Sequence, residues 1–369
     1  MNDLVALALP AGPEFIDELR RCWDDGDAVL PVDLRLPAPA RKRLISALAP
    51  ARVVEPGGVH APPGAVPVEP GDALVVATSG TTGDPRGVVL THDAVAASAR
   101  ASSSRLDVDP ADDRWLACLP LSHVGGLSVV CRAIVTGTSV EVHDGFDPDA
   151  VTDAVRRGAT LTSMVPTMLG RVATDGFRRV LLGGSSMPPG RAANTVATYG
   201  LTETGSGVVY EHVPLDGVEV RVVDGQIGVR GPMLLRCYRD GIVPTDDDGW
   251  LPTGDGGSFV DGRLEVFGRI GDMIVSGGEN VWPLPVESIL ARHDAIADVA
   301  VVGRSDPEWG QVVTAVVVVA DGRELPAIDE LRELVRAELP AYCAPRRLEA
   351  VAALPRTALG KIRRSAVTT

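Results

Sequence analysis

The chain has 369 residues, of which 45% are hydrophobic, 23% charged and 4% aromatic, values that predict a soluble globular protein long enough for two domains. Its formal net charge of −14 argues against nucleic acid and anionic membrane surfaces as partners, because both are polyanions. The five cysteines are widely spaced and form no C-x-x-C pair, which argues against a zinc site or disulfide framework and favours a cytoplasmic location. The sequence shows no signal-peptide pattern and no apolar run of membrane-spanning length, so we expect no membrane insertion.

The first 200 residues alternate between short helical patterns and strand-like runs. Helices are expected at 14–23 and 40–48, before a connection rich in Pro and Gly. From residue 73 onward, apolar runs of strand length alternate with helical segments, which is typical of a layered α/β domain. The expected strands are ALVVA (73–77), RWLACLP (114–120), SVEVH (139–143), ATLTSMVP (159–166) and RRVLLGG (178–184).

The pattern of predicted secondary structure changes twice after residue 200. Short β runs separated by turn residues fill 208–268, which predicts a β-rich subdomain. After GRIGD (268–272), a helix is expected at 284–293, then two strands, a second helix at 329–339 and a last strand at 348–354. We therefore predict a large N-terminal α/β domain over 1–268 and a small α+β C-terminal domain over 269–369.

The polar stretch TSGTTGDPRG (78–87) interrupts two apolar strand candidates, 73–77 and 88–90. A Walker A loop is excluded, because G-x-x-x-x-G-K-[ST] is absent. A solvent-exposed turn would fit the composition. A phosphate-binding loop of another kind would fit as well, because glycines let backbone N–H groups converge on an anion, hydroxyls add donors and Arg86 adds a permanent charge.

Five further segments follow this loop at long spacings: PLSHVGGL (120–127), YGLTET (199–204), TGD (253–255), GRIGDMIVSGGEN (268–280) and LPRTALGK (354–361). Together and in this order, the six segments resemble the motifs of the adenylate-forming superfamily, which contains acyl-CoA synthetases, adenylation domains and luciferases. The resemblance covers about residues 25–369. It implies that ATP and Mg²⁺ activate a carboxylate as acyl-AMP, and that the acyl group then passes to a thiol such as that of coenzyme A.

The same resemblance implies nucleotide-binding roles. The loop would hold the outer phosphates of ATP, Tyr199 would stack on adenine beside Gly200, and Asp255 would accept hydrogen bonds from the ribose with help from Arg269. Gly183, Gly184 and Ser185 would line the adenine and acyl site. The loop residues concerned are Thr78, Ser79, Gly80, Thr81, Thr82, Gly83 and Arg86.

The resemblance also implies four residues with catalytic roles. Glu203 would ligate Mg²⁺, Thr202 would bond to the α-phosphate, and Lys361 would bridge the substrate carboxylate and the α-phosphate. His123 would act as a gate between the acyl pocket and the tunnel for pantetheine. A satisfied buried histidine is the alternative for His123. Lys361 is one of only two lysines in the chain, the other being Lys42.

The chain departs from the superfamily pattern at several places. Arg86 stands where relatives usually have lysine, and Gly271 stands at the hinge position where they commonly have Asp or Lys. The N-terminal part is short, and the segment 187–198 is expected to be too short for the usual helix plus strand. Glycine at the hinge would permit the backbone rotation by which a mobile C-terminal domain changes position.

The sequence therefore predicts an ATP- and Mg²⁺-dependent acid–CoA ligase that acts on a small-molecule carboxylate. The compact length, TLTSMVPTML (160–169) and VVYEHVPLDGVEVRV (208–222) resemble o-succinylbenzoate–CoA ligases of menaquinone biosynthesis. Three alternatives stay open: a ligase for another aromatic or medium-sized acid, an adenylation enzyme that loads a carrier protein, and a homologue that only binds nucleotide. A homodimer is also left open.

Overall fold

The structure of the protein is a computed structural model that describes residues 2–79, 85–184, 187, 190–356 and 362–368. The chain forms two compact units. The first comprises Met1–Gly183, Ala192–Val220 and Val229–Leu251, and the second comprises Gly184–Arg191, Arg221–Gly228 and Pro252–Thr369. No helix in the described ranges has both the length and the apolar character needed to cross a membrane.

Among the described residues, both units contain more strands than helices. In the first half of the chain they are β1 (Leu4–Leu7), β2 (Ala28–Pro31), β3 (Arg52–Glu55), β4 (Gly58–His60), β5 (Asp72–Ser79), β6 (Pro85–Thr91), β7 (Arg114–Ala117), β8 (Ser139–Val142), β9 (Leu161–Met164) and β10 (Arg179–Leu182). Further along they are β11 (Thr195–Leu201), β12 (Ser206–Tyr210), β13 (Val213–Pro214), β14 (Glu219–Val223), β15 (Gln226–Arg230), β16 (Cys237–Tyr238), β17 (Leu251–Val260), β18 (Arg263–Arg269), β19 (Ile274–Ser276), β20 (Glu279–Val281), β21 (Ile296–Asp306), β22 (Gly310–Val319) and β23 (Arg347–Ala350).

The helices begin where local sequence favours a helix start. Thr91 and Asp147 cap two of them by accepting hydrogen bonds from the N–H groups of Ala94 and Ala150, and several others have proline in the first turn. They are α1 (Pro13–Asp24), α2 (Ala38–Leu48), α3 (His92–Arg105), α4 (Val124–Thr136), α5 (Pro148–Arg156), α6 (Pro166–Leu169), α7 (Pro283–Leu290), α8 (Ile328–Arg336) and α9 (Arg364–Thr368).

The first unit contains two seven-stranded sheets. Their strand orders are β16-β6-β5-β2-β1-β3-β4 and β13-β12-β11-β10-β9-β7-β8. Strands β1, β2 and β9 are buried along their whole length, as expected of parallel strands that are covered on both faces. Helix α3 contacts strands of both sheets and packs on α4, which in turn packs on the second sheet. The two helices therefore form a layer that joins the sheets.

The second unit is built around a five-stranded sheet. Its order is β20-β19-β22-β21, with β23 pairing in parallel with β22. Helices α7 and α8 cover one face of this sheet through a core that includes Val286, Leu290, Val301, Leu331 and Val335. A separate four-stranded sheet has the order β14-β15-β17-β18. The predicted α/β class, with a large N-terminal domain and a small C-terminal domain, is confirmed, whereas a functional boundary between 268 and 269 stays a prediction.

The structure agrees with one expectation about a single element and corrects another. The segment 187–198 retains part of strand β11, which pairs in parallel with β10, while its described residues 187 and 190–194 contain no helix. The last strand was expected over 348–354 but ends at Ala350. The Val351 N–H still donates to the Val317 carbonyl at 2.9 Å, and Pro355, which cannot donate to a strand ladder, lies four residues further on.

A buried arginine connects the joining helices to the second sheet. Arg132 on α4 is 2% exposed. Its Nε donates to Ser102 Oγ on α3 at 2.8 Å, and its Nη2 donates to Ser206 and to the Tyr210 hydroxyl on β12. Trp115 on β7 presents its ring to the guanidinium at 5.4 Å. Among the described residues no carboxylate forms an ion pair with Arg132, and its buried Nη1 has no hydrogen-bond partner, so hydroxyl groups and the ring compensate only part of the buried charge.

We expect Arg132→Ala to lower the free energy of unfolding by about 2 kcal/mol, because three buried hydroxyl groups would lose their shared partner. Denaturant unfolding of the variant and the wild type measures this difference. Arg100→Ala is the matched control, since Arg100 is an exposed arginine on α3. A loss no larger than that of Arg100→Ala would contradict the prediction.

Candidate active site

The polar loop joins two antiparallel strands of the first unit. Strands β5 and β6 pair from Asp72↔Thr91 to Ser79↔Pro85, with Thr78 opposite Arg86. Thr78 Oγ1 donates to the Arg86 carbonyl at 3.3 Å. The predicted phosphate-binding residues Gly80, Thr81, Thr82 and Gly83 lie outside the described residues, as does the side chain of Ser79. The structure thus fixes both ends of the loop, and its role stays a prediction.

A tight turn after β11 presents Glu203. Residues Thr202–Thr204 form a single 3₁₀ turn, in which Thr204 Oγ1 accepts from the Leu201 N–H at 2.9 Å and donates to the Ser206 carbonyl at 2.7 Å. Gly205 ends the turn with a φ of +65°, which glycine adopts without strain. Thr202 and Glu203 are both half-buried.

Glycine is required at position 200 for a steric reason. Strands β11 and β12 are antiparallel, with Gly200 opposite Gly207 beside an irregularity in the pairing. A Cβ atom on Gly200 would lie 2.2 Å from the Ser206 carbonyl oxygen. Tyr199, the predicted adenine-stacking residue, lies opposite Val209 and is half-buried. The strand pairing therefore explains the glycine of this motif, and the role of Tyr199 stays a prediction.

Residues 235–240, which we call the bridging segment, connect β6 to the Glu203 turn. On one side, the Leu235 N–H donates to the Glu203 carbonyl at 2.8 Å. On the other side, β16 pairs with β6, with Tyr238 opposite Val88. The Arg239 N–H continues this pairing by donating to the Gly87 carbonyl at 2.7 Å. The backbone of this segment therefore holds the loop strand and the Glu203 turn together.

Side chains of the bridging segment also link the two. The Tyr238 hydroxyl donates to Glu203 Oε1 at 3.0 Å. The Arg86 guanidinium lies over the Tyr238 ring, 3.5 Å from its centroid, and Arg86 Nη2 is 3.3 Å from Asp240 Oδ2. Burial and the Glu203 carboxylate raise the pKa of Tyr238 to about 12, so the hydroxyl remains a proton donor at neutral pH.

Sequence reasoning identified Arg86 and Glu203 but missed Tyr238 and Asp240. Both belong to the stretch RCYRD (236–240), in which Arg236, Tyr238 and Asp240 recur with the two-residue period of a strand, although Arg239 is polar as well. Arg86 and Val88 lie two residues apart on β6 and share one face, which makes Arg86 a diagonal neighbour of Tyr238. This recurrence was a weak signal for a strand, and the partner strand could not be inferred from it.

The predicted ribose pair lies in the second unit. Asp255 on β17 and Arg269 on β18 are cross-strand partners. Arg269 Nε is 3.1 Å from Asp255 Oδ1, and its Nη1 donates to the Thr253 carbonyl at 2.8 Å. The Asp255 side chain is 8% exposed and that of Arg269 is 52% exposed. The structure thus brings together two residues that sequence reasoning paired.

His123 precedes α4 and is half-exposed. Its Nε2 lies 3.8 Å from Asp33 Oδ2, and 32% of its side chain is accessible. Hydrogen bonds from Arg35, together with the nearby His123, hold the pKa of Asp33 below its usual value. His123 is therefore not a buried core histidine, and its role as a gate stays a prediction.

Gly184 follows β10 with a φ of +87°, a conformation that favours glycine. Gly183 also requires glycine, because a Cβ atom there would lie 2.9 Å from Thr198 Oγ1. Ser185 lies outside the part of the chain that the structure describes. Part of the predicted GGS element is therefore fixed by local geometry.

Lys361 also lies outside the described residues, but residues on both sides of it are anchored in the second unit. Arg356 and Ile362 form an antiparallel bridge, and Arg356 Nη2 lies 2.5 Å from Asp298 Oδ2. On α9, the Arg364 guanidinium binds the carboxylate of Glu287, with Nη2 donating to Oε2 at 2.8 Å, and Nε lies 3.2 Å from Asp272. Glu287 is 8% exposed, so this pair is buried.

Two models of known protein families match the chain. Residues 43–257 match the family model "AMP-binding enzyme", and residues 285–361 match "AMP-binding enzyme C-terminal domain". The probable 2-succinylbenzoate–CoA ligase of Mycobacterium tuberculosis is 37% identical over 360 residues, which cover 89% of this chain and 93% of the relative. The indoleacetate–CoA ligase of Aromatoleum aromaticum is 37% identical over 339 residues, covering 80% of this chain and 66% of that protein.

Solved structures show the same relationship. The o-succinylbenzoate CoA synthetase MenE from Bacillus subtilis, in complex with the acyl-adenylate OSB-AMP, superposes with a TM-score of 0.85 at 27% identity. The superposition covers 100% of this chain and 88% of that enzyme. Family models, relatives and fold lead to one conclusion: the chain belongs to the AMP-binding enzyme family of adenylate-forming enzymes.

Proposed function

We propose that this protein is an AMP-forming acid–CoA ligase whose acid is 2-succinylbenzoate, and that it acts in menaquinone biosynthesis. The observation that carries the reaction class is the cluster of Arg86, Tyr238 and Glu203, which places a guanidinium and a carboxylate on one tyrosine. The Arg86 guanidinium can bind the phosphates of a nucleotide, and the Glu203 carboxylate can bind the metal ion that accompanies them. The similarity to the probable 2-succinylbenzoate–CoA ligase of Mycobacterium tuberculosis, over 93% of that relative, supports the choice of acid.

The described residues fit a magnesium–nucleotide complex. No other group among them hydrogen bonds to the Glu203 carboxylate, which leaves Oε2 available to a hard cation. Within the same residues no cluster of three or more His, Cys, Asp or Glu side chains could form a closed metal site. A single carboxylate suits Mg²⁺, which keeps water and phosphate oxygens as its other ligands. When bound there, Mg²⁺ would neutralise charge on the phosphates.

The reaction then proceeds in two steps. A carboxylate oxygen of the acid attacks the α-phosphorus of ATP, the bond to the bridging oxygen breaks, and pyrophosphate leaves. Arg86 and Thr78 hold the outer phosphates at the loop strands, Thr202 contacts the α-phosphate, and Lys361 balances charge between the two reacting anions. In the second step, the sulfur of coenzyme A attacks the acyl carbon and AMP leaves.

We propose that the acyl acceptor is an external thiol. All five cysteines are buried and free. Burial raises the pKa of Cys22 and Cys131 to about 12 and that of Cys118 to about 11, so these thiols stay protonated and poorly nucleophilic at neutral pH. Reduced cysteines also favour the cytoplasm as the location. A homodimer stays a prediction, which light scattering in solution would test.

A hinge at Gly271 completes the proposal. We place the boundary between a 1–268 domain and a mobile 269–369 domain just before this residue. Gly271 lies in a short 3₁₀ turn, Ile270–Asp272, and a Cβ atom there would meet nothing within 4 Å. The conformation described makes no demand for glycine, so its freedom would be used in a second conformation.

A panel of acids tests the substrate. With ATP, Mg²⁺ and coenzyme A, we expect kcat/KM for 2-succinylbenzoate to exceed that for indoleacetate by about 10-fold or more, because an acyl pocket discriminates through its contacts. Holo-carrier protein in place of coenzyme A serves as the acceptor control. A preference for indoleacetate, which the relative from Aromatoleum aromaticum suggests, would replace the acid but keep the class. No pyrophosphate release with any acid would disprove the class.

Arg86→Ala and Thr81→Ala should each raise the KM for ATP, by about 10-fold or more for Arg86→Ala, because a charged contact to phosphate is lost. Steady-state kinetics with ATP varied measures the effect, and thermal unfolding checks the fold. Arg100→Ala is again the control. If kcat/KM for ATP is unchanged in both variants, the loop does not bind phosphate.

Lys361→Ala should slow acyl-adenylate formation by about 1,000-fold, because one preorganised charge at a reacting centre contributes on this scale. Thioester formation from preformed acyl-AMP should be largely spared. Lys361→Arg should not restore activity, since a planar guanidinium replaces a compact ammonium. Single-turnover kinetics of each half-reaction measures both effects, and Lys42→Ala, at the exposed lysine of α2, is the matched control. Normal adenylation by Lys361→Ala would refute this role.

A further inference from the structure

Tyr238 contacts both charged groups of the proposed nucleotide site. Its hydroxyl is 3.0 Å from Glu203 Oε1, and its ring centroid is 3.5 Å from the Arg86 guanidinium carbon. Arg86 has a further partner in Asp240. Among the described residues, the Glu203 carboxylate accepts a side-chain hydrogen bond from Tyr238 alone. One aromatic residue therefore determines where the carboxylate lies with respect to the guanidinium.

Tyr238 can do this because the bridging segment is anchored firmly. Arg236, two residues before it, binds Asp72 through two hydrogen bonds of 2.9 Å and 2.8 Å. The Asp72 side chain is 1% exposed and lies at the start of β5. The segment also has backbone hydrogen bonds to β6 and to the Glu203 turn. Because the backbone on both sides of Tyr238 is hydrogen-bonded, the position of this side chain is restricted.

The hydrogen bond also selects which oxygen of Glu203 is available. With Oε1 engaged by the Tyr238 hydroxyl, Oε2 is the oxygen left for a cation. The tyrosine ring meanwhile stacks on the guanidinium, whose Nε is buried and has no hydrogen-bond partner among the residues described. Contact with the ring therefore fixes the orientation of the two terminal nitrogens of Arg86 and shields Nε from solvent.

We propose that Tyr238 is a positioning residue that holds the metal-binding carboxylate of Glu203 and the phosphate-binding guanidinium of Arg86 in register for one magnesium–nucleoside triphosphate complex. The inference rests on the proposed function, since it takes Glu203 as the metal ligand. It adds a residue through which metal affinity and phosphate affinity are coupled. The ring and the hydroxyl have separate effects, and substitutions can separate them.

Tyr238→Phe keeps the ring and removes the hydroxyl. We expect it to weaken binding of ATP in excess Mg²⁺ by about 10-fold, the scale of a hydrogen bond to a charged group. In EDTA, the affinity for ATP should stay within about 2-fold of wild type, because the contact between Arg86 and the ring remains. The Kd for ATP in EDTA divided by the Kd in Mg²⁺ therefore reports how much the metal strengthens binding. A general loss of structure would not change this ratio selectively.

Tyr238→Leu removes the ring as well. Its affinity for ATP in EDTA should fall by about 3-fold or more, because Arg86 loses the aromatic face. Isothermal titration calorimetry with ATP, in Mg²⁺ and in EDTA, measures all variants, and thermal unfolding verifies their fold. Tyr342→Phe is the control, since it removes a phenolic hydroxyl in the second unit.

A double-mutant comparison separates the two levels of the proposal. Glu203→Gln should lower the Mg²⁺-dependent ratio by itself, and adding Tyr238→Phe should change it no further. If Glu203→Gln lowers the ratio but Tyr238→Phe leaves it unchanged, the positioning role is wrong and the metal site stands. If Glu203→Gln has no effect on the ratio, Glu203 does not bind the metal. The metal site at Glu203 and the positioning role of Tyr238 are then both wrong.

Discussion

The candidate site depends on the antiparallel pairing of β5 with β6. This pairing places Thr78 opposite Arg86 and brings the two ends of the polar loop together. The outer edge of β6 then accepts β16, and the bridging segment that contains β16 holds the Glu203 turn by backbone and side-chain hydrogen bonds. The loop, the bridging segment and the Glu203 turn are far apart in sequence, but all three depend on β6. A change in β6 would therefore displace the loop ends, Tyr238 and Glu203 together.

Much of this could be predicted from the sequence, because the informative signals were local. Apolar runs revealed the buried parallel strands, and the glycines of the YG and GG motifs marked places where a side chain would collide with Ser206 or Thr198. Asp255 and Arg269 were paired by motif, and strand register later placed them together. Tyr238 and Arg132 could not be predicted. Their importance comes from partners at long sequence separation, namely Arg86 and Glu203 for one, and Ser102 and Ser206 for the other.

The protein carries a net charge of −14, yet its proposed substrates, ATP and coenzyme A, are themselves polyanions. The net charge therefore does not favour their approach at long range, and local cationic groups with short-range contacts have to supply the affinity. Arg86 illustrates the arrangement: Asp240 is its partner in the described structure, so a phosphate would have to compete with an internal carboxylate. Such a site is selective, because an anion has to offer better geometry than the resident group.

The buried pair of Arg364 and Glu287 affects how truncated versions of this protein should be understood. Deletion from residue 364 onward would keep Lys361 in the chain. It would also leave Glu287, an 8%-exposed carboxylate, without its guanidinium, and it would remove Val367 from a core that contains Ala300 and Val316. A charge stranded in an apolar interior destabilises the fold around it. Loss of activity in a shortened chain would thus reflect collapse of the second unit, even though every residue implicated in chemistry was still present.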